Sequence, residues 1–260
     1  MAEWFEKRTL GGLLDLAVTL FGNREALSFE GQRWSFIELR DQVDIVARGL
    51  INLGVKPGDK ICLWMTNCPE WIFVFFAVAK IGAILVPINT RFRVTDMEYV
   101  LLQSDSTTLI MMDESGPVNY LAMLREVCPE IDLVCASELV VHKFPELKRV
   151  VVLGNTRPKG AVNWADMLTG PADLRFSVDI QANVKPDDTV LLMYTSGTTG
   201  FPKGVMHSHN IQRTLVDAAS RMGMTSRDVI LMYLPLFHCF GLHEGPIMSV
   251  VSGARMVLMS

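Results

Sequence analysis

The stretch Tyr194-Thr195-Ser196-Gly197-Thr198-Thr199-Gly200-Phe201-Pro202-Lys203-Gly204 gathers the groups a chain needs to wrap around polyphosphate. Gly197, Gly200 and Gly204 permit positive φ angles and close approach, so that successive N–H groups can converge on one anion. Thr195, Ser196, Thr198 and Thr199 add hydroxyl donors that rotate to meet phosphate oxygens. Lys203 supplies a compact, mobile charge, and Pro202 stiffens the chain before it. Turn chemistry alone would account for the glycines but not for the hydroxyls and the lysine.

The common phosphate loop, G-x-x-x-x-G-K-[S/T] opening a helix, does not fit. Counted from Gly197, its second glycine falls on Pro202, and Lys203 is followed by Gly204. Val205-Met206-His207 then reads as strand, so the loop is expected to join two strands. A second cluster with chemical potential is Leu234-Pro235-Leu236-Phe237-His238-Cys239-Phe240-Gly241, where a histidine sits between aromatics beside a glycine. A satisfied core histidine is the competing reading of His238. His207, His209, His238, Cys239, His243 and Glu244 meet no recognised zinc spacing, so no protein-bound metal is expected, and His209 reads more simply as part of a helix entry.

The surrounding elements alternate. Ser35 with Glu38 predicts a capping box, followed by Leu39, Val43, Val46, Leu50 and Leu53 on one face and Gly54 as the stop. Thr95 with Glu98 predicts the same device before Tyr99 to Gln103. Apolar runs at Lys60–Thr66, Thr107–Met112, Arg149–Leu153 and Thr189–Thr195 read as strands buried on both faces, with helices such as Tyr120–Val127 between them. The pattern predicts an α/β fold with a mainly parallel, helix-flanked sheet. Asn210 is a candidate cap for a helix through Ile211, Leu215, Ala219 and Met222. A strand over Val229–Leu234, a helix over Leu242–Val251 and a strand over Arg255–Leu258 follow. Trp71 to Ile88 is apolar apart from Lys80, yet Gly82 and Pro87 divide it into a buried helix, Glu70–Lys80, and a buried strand, Ala83–Ile88.

Half of the 260 residues are hydrophobic, ample for a core, and the net charge of -4 argues against nucleic acid as a partner. The first residues include acidic side chains and no long apolar core, unlike a signal peptide. Five cysteines without a C-x-x-C pair suggest free thiols in a reducing, cytoplasmic setting. The methionines are expected to fill core gaps.

The loop Tyr194–Gly204 resembles the Ser/Thr/Gly-rich ATP signature of the adenylate-forming superfamily, most closely that of acyl-CoA synthetases. Leu234–Gly241 resembles its next motif, and Trp34-Ser35-Phe36-Ile37-Glu38-Leu39 and Ala79–Asn89 are similar to two structural motifs before it. The resemblance implies the large amino-terminal domain of these enzymes, incomplete, with two interleaved sheets. Residues from about 60 to 222 would build one, and about 10–55 with 225–260 would contribute to the other. It further implies activation of a carboxylic acid, of fatty or alicyclic type, by ATP to an acyl-adenylate and then a coenzyme A thioester, with Mg²⁺ arriving on the nucleotide. Lys203 would clamp charge, with Thr195, Ser196, Thr198 and Thr199 as donors and Gly197, Gly200 and Gly204 as backbone cradle. His238, with Phe240 and Gly241, would lie at the carboxylate end of the acyl pocket, and Leu242, Ile247, Met248 and Val251 would line either an acyl tunnel or plain core.

Family members continue for at least as long again. The motif that holds adenine, the aspartate that binds ribose, the hinge and the small carboxy-terminal domain with its lysine have no counterpart in these residues. The expectation is therefore an amino-terminal part without turnover of its own, self-associating through an open apolar sheet edge. A non-catalytic nucleotide-binding scaffold, a phosphotransferase with an unusual loop, and adenylation for a thiol carrier other than coenzyme A stay open as alternatives.

Overall fold

The computed structural model describes residues 6–170, 174–195 and 202–260, with 174–178 described by backbone alone. Thr9 accepts the Gly12 N–H at 3.0 Å and so starts α1 (Leu10–Phe21). A hairpin of β1 (Glu25–Phe29) and β2 (Gln32–Ser35) turns through Glu30 and Gly31, both at positive φ. The capping box of Ser35 and Glu38 is formed in full and launches α2 (Phe36–Asn52). Next come β3 (Lys60–Trp64), α3 (Pro69–Lys80), β4 (Ile84–Pro87), α4 (Val94–Gln103) and β5 (Thr108–Met112). A small hairpin, β6 (Glu114–Ser115) and β7 (Val118–Asn119), precedes α5 (Tyr120–Val127), β8 (Arg149–Leu153), β9 (Val162–Asn163), α6 (Trp164–Leu168) and α7 (Leu174–Asn183). The last stretch holds β10 (Thr189–Thr195), β11 (Lys203–Ser208), α8 (Ile211–Met222), β12 (Val229–Met232), α9 (Cys239–Leu242), a π-helical turn at His243–Ile247, α10 (Met248–Ser252) and β13 (Arg255–Leu258).

Seven strands form one sheet in the order β11-β10-β4-β3-β5-β8-β9, parallel throughout except for the antiparallel β10–β11 pair. Four form a second sheet, β12-β13-β1-β2, in which only β1–β2 is antiparallel. Alternation along the seven-stranded sheet divides its side chains between two cores. Ile61, Leu63, Leu85 and Leu191 face one core, which they share with α1, α2, α3 and the second sheet; Cys62, Trp64, Val86 and Leu109 face the other, under α4 and α5. Burial on both faces is why these strands read as continuous apolar runs rather than as alternating ones.

The apolar run at Trp71–Ile88 divides as its glycine and proline predict, into α3 and β4. Among the described residues no helix is long and apolar enough to cross a membrane. Lys80, the polar break in that run, is only 5% exposed and joins three helices. Its ammonium reaches Asp15 on α1 at 2.8 Å and Asp44 on α2 at 2.7 Å, and Gln181 of α7 donates to the other Asp15 oxygen at 2.7 Å. Two carboxylates accept from the buried ammonium and so offset the cost of its burial, which an unpaired charge would bear in full.

Two helix starts differ from the sequence reading. α4 begins at Val94 because the Asp96 carboxylate accepts the Arg93 N–H at 3.2 Å; Thr95 is therefore inside the helix, and Glu98 pairs with Lys143 at 2.7 Å. Asn210 stands at the cap position of α8 without capping it, since its backbone is already helical and its amide donates to Asp187 at 2.6 Å. The adjoining His209 is fully buried, accepting the Leu10 N–H on Nδ1 at 3.1 Å, while its Nε2 has no described partner. Burial pushes this imidazole down to about 4 from 6.5, outweighing the nearby Asp188 carboxylate. The folded chain therefore binds fewer protons than the unfolded chain between those values, so His209 contributes full stability above pH 6.5 and loses it as the pH falls towards 4. Urea unfolding is expected to show about 2 kcal/mol less stability from this group at pH 5 than at pH 7. His209→Asn, which keeps an acceptor for Leu10, should flatten that dependence; an equally steep profile in the variant would remove His209 as its source.

Candidate functional site

The chain passes from β3 to β4 through α3 on one face, then back across β3 to β5 through α4 on the other. Where strand order reverses in this way, the connections diverge and leave a crevice at the carboxyl ends of the strands. Thr66 and Asn67 follow the end of β3, Asn89 and Arg91 follow β4, and Thr195 ends β10, which runs parallel to β4. Thr195, the last described residue before the centre of the predicted loop, and the predicted histidine motif, held through Leu234 and Leu236 to Asn67, both stand at these carboxyl ends.

β10 and β11 form the expected hairpin, with Tyr194 opposite Gly204 and Thr195 opposite Lys203. Its two stalks are tied to α4. Tyr99 donates its hydroxyl to the Pro202 carbonyl at 3.0 Å, and Tyr194 donates to the side-chain oxygen of Gln103. Burial raises the Tyr194 phenol well above its ordinary value, keeping it a neutral donor. Thr195 and Lys203 are exposed, and the Lys203 ammonium has no partner among the described residues. The other predicted cradle residues, Ser196, Gly197, Thr198, Thr199 and Gly200, lie outside the described residues.

His238, Phe240 and Gly241 come together as lining of a cavity of about 390 Å³, with Phe237, Leu234 and Pro235 from the same segment. Sequence reasoning missed the other two lining residues, Asn89 and Arg91, as site residues. It also missed Asn67, which holds the segment in place: its amide donates to the Leu234 carbonyl at 3.0 Å and accepts the Leu236 N–H at 2.9 Å. His238 Nδ1 accepts the Phe240 N–H at 3.3 Å at the start of α9, so that nitrogen is the unprotonated one and Nε2 is left for other partners. Gly241 has no room for a side chain, because a Cβ there would lie 2.2 Å from the Pro235 carbonyl oxygen.

Leu242, Ile247 and Met248 are buried in the main core and are not among the residues lining this cavity; Val251 packs against the same core. His207 and His243 meet edge to face at 6.3 Å between ring centres. Burial, and then the neighbouring His207, lower the His243 imidazole. Among the described residues no group of three or more His, Cys, Asp or Glu could hold a metal ion.

These features define a doubly wound α/β protein with an open crevice at the carboxyl ends of its parallel strands. The chain belongs to the AMP-binding enzyme family, whose profile matches residues 14–260. The Bacillus subtilis protein YngI is 33% identical over 99% of this chain and 48% of its own length. The Aspergillus fumigatus acyl-CoA ligase sidI is 32% identical over 97% of the chain and 42% of its own. The anthranilate CoA ligase AuaEII, solved in complex with anthranoyl-AMP, superposes with a TM-score of 0.80 at 25% identity, covering 97% of this chain and 45% of that one. The mainly parallel α/β architecture is thus that of the amino-terminal domain of adenylate-forming enzymes. The chain spans about half the length of the relatives it matches.

Proposed function

We propose that these residues form the part of an acyl-CoA synthetase that grips ATP and receives the acid. In the whole protein, the carboxylate would attack the α-phosphorus of ATP to give an acyl-adenylate and pyrophosphate, and coenzyme A would then take the acyl group and release AMP. The observation that carries this reading is the placement of two elements at the carboxyl ends of neighbouring parallel strands. An exposed lysine–threonine hairpin ends β10, and a largely apolar cavity holding His238 opens past β4. Two anions must meet for this reaction, so catalysis needs charge neutralised, the attack aligned and water excluded.

Lys203 would neutralise the departing phosphates while Thr195, Ser196, Thr198 and Thr199 donate hydrogen bonds and Gly197, Gly200 and Gly204 let the backbone approach. His238 would meet the substrate carboxylate through Nε2, the nitrogen not used to cap α9, with Phe240 and Gly241 shaping the wall. Mg²⁺ enters with the nucleotide as part of the substrate. Residues from about 60 to 222 would act as one structural unit and about 10–55 with 225–260 as part of another. The chain spans under half of its relatives' length, so turnover by these 260 residues alone is not expected. A cytoplasmic location is in keeping with the free thiols. Self-association through the edge strand β12 is in keeping with its exposed Val229 and Leu231.

Calorimetric titration of the chain tests the binding half of this proposal. A cradle for β- and γ-phosphates should hold ATP at least tenfold more tightly than AMP, since each charge-assisted hydrogen bond contributes about 1.5–3 kcal/mol. Equal affinity for the two nucleotides would rule the cradle out.

A further inference from the structure

Among the described residues that line the cavity, Arg91 is the one that carries a fixed charge. Its place is set by the backbone. Asn89 Oδ1 accepts the Arg91 N–H at 2.9 Å, and the Asn89 carbonyl accepts the Phe92 N–H at 3.0 Å. The chain therefore turns sharply just past β4 and delivers Arg91 to the cavity rim. No described residue partners its guanidinium. Arg149 shows the contrast: it is held by the Leu53 and Gly54 carbonyls, with Asp59 3.7 Å away, so its charge is consumed within the fold.

A guanidinium is a rigid fork matched to a carboxylate, and this one stands exposed at the rim of an apolar cavity with no described acidic partner. An apolar cavity with one convergent charge selects a ligand with an apolar body and an anionic end. We propose that Arg91 is a specificity-determining residue of this cavity, pairing with the carboxylate of an acid whose apolar part lies against Phe237, Phe240 and Pro235. The proposal rests on the cavity being the acid subsite and does not depend on the hairpin binding ATP. It places an exposed charge at the rim, where pairing steers the carboxylate end outward and discriminates against uncharged analogues.

The test compares octanoate, octan-1-ol and ATP by calorimetry on the wild-type chain, Arg91→Gln and Arg91→Lys. Arg91→Gln should weaken octanoate about three- to tenfold, as expected for a partly exposed charge pair, and leave octan-1-ol unchanged. Arg91→Lys should recover most of the loss, and added salt should weaken octanoate only where the charge is present. Parallel losses for octanoate and octan-1-ol would assign Arg91 to packing and overturn the proposal. So would unchanged octanoate affinity, absence of octanoate binding to the wild type, or a loss confined to ATP, which would make the guanidinium a phosphate ligand. Failure of ATP alone to bind the wild type would instead count against the hairpin and leave the octanoate comparison standing.

Discussion

Gly241→Ala is expected to destabilise the chain by about 2–4 kcal/mol and to reduce octanoate binding in the His238 cavity at least tenfold. Helix propensity alone predicts the opposite sign, because alanine is the better former by about 1 kcal/mol. Sterics decide. The new Cβ would stand 2.2 Å from the Pro235 oxygen, 2.8 Å from the Pro235 carbonyl carbon and 3.2 Å from the Leu234 oxygen, all of them backbone atoms that no rotamer change can move aside. Retreat of that segment is opposed by Asn67, bonded to both Leu234 and Leu236, and by the His238 N–H on the Pro235 carbonyl at 3.1 Å. Any relief therefore displaces Pro235, His238 and Phe240 together, and these line the cavity. Gly223→Ala is the control, since its φ is +65° but nothing lies within 4 Å of its Cβ; it should cost only about 1 kcal/mol. Urea midpoints at unchanged slope measure both variants. A Gly241→Ala midpoint no lower than that of Gly223→Ala would mean that the turn is not built as described.

Lys203→Ala should leave stability within about 0.5 kcal/mol of wild type, because an exposed ammonium without a described partner holds nothing in the fold. Its effect should fall on ATP, whose affinity is expected to drop about 10- to 150-fold with loss of a charge-assisted hydrogen bond of about 1.5–3 kcal/mol. AMP lacks the outer phosphates and should lose less. Lys203→Arg should recover part of the loss, limited by the different reach and planarity of a guanidinium. The lysine's position opposite Thr195, at the mouth of a hairpin tied to α4 through Tyr99 and Tyr194, gives the charge a fixed base from which to act. An equal loss for AMP and ATP would place Lys203 away from the outer phosphates.

What could be read from the sequence was whatever depends on near neighbours. The capping box of Ser35 and Glu38 spans three residues, and the strand runs at Lys60, Thr107 and Arg149 carry their two-sided burial in their own composition. The hairpin after Thr195 was legible because glycines, hydroxyls and Lys203 are contiguous; its central residues lie outside the described ones, so the agreement concerns the stalks. Local chemistry failed where two residues compete for one role. Thr95 with Glu98 and Arg93 with Asp96 are capping patterns two residues apart, and the carboxylate nearer the free N–H took it. The site residues that escaped notice act across long separations. Asn67 meets Leu234 from 167 residues away, and Arg91 reaches a cavity whose other wall begins at Leu234. Lys80 looked like a flaw in an apolar run because Asp15 and Asp44, 65 and 36 residues earlier, are brought to it only by the packing of α1 and α2 on α3. Periodicity marks which face is buried; it does not say which polar group waits on the other side.

Hydrogen-exchange mass spectrometry of the 260-residue chain with and without saturating ATP tests the phosphate cradle most directly. Backbone N–H groups that bind phosphate oxygens should exchange more slowly, with protection concentrated in peptides covering residues 194–204 and lost in Lys203→Ala. Protection that appears elsewhere, for example across the β6–β7 hairpin, with 194–204 exchanging as fast as in the free chain, would contradict the account.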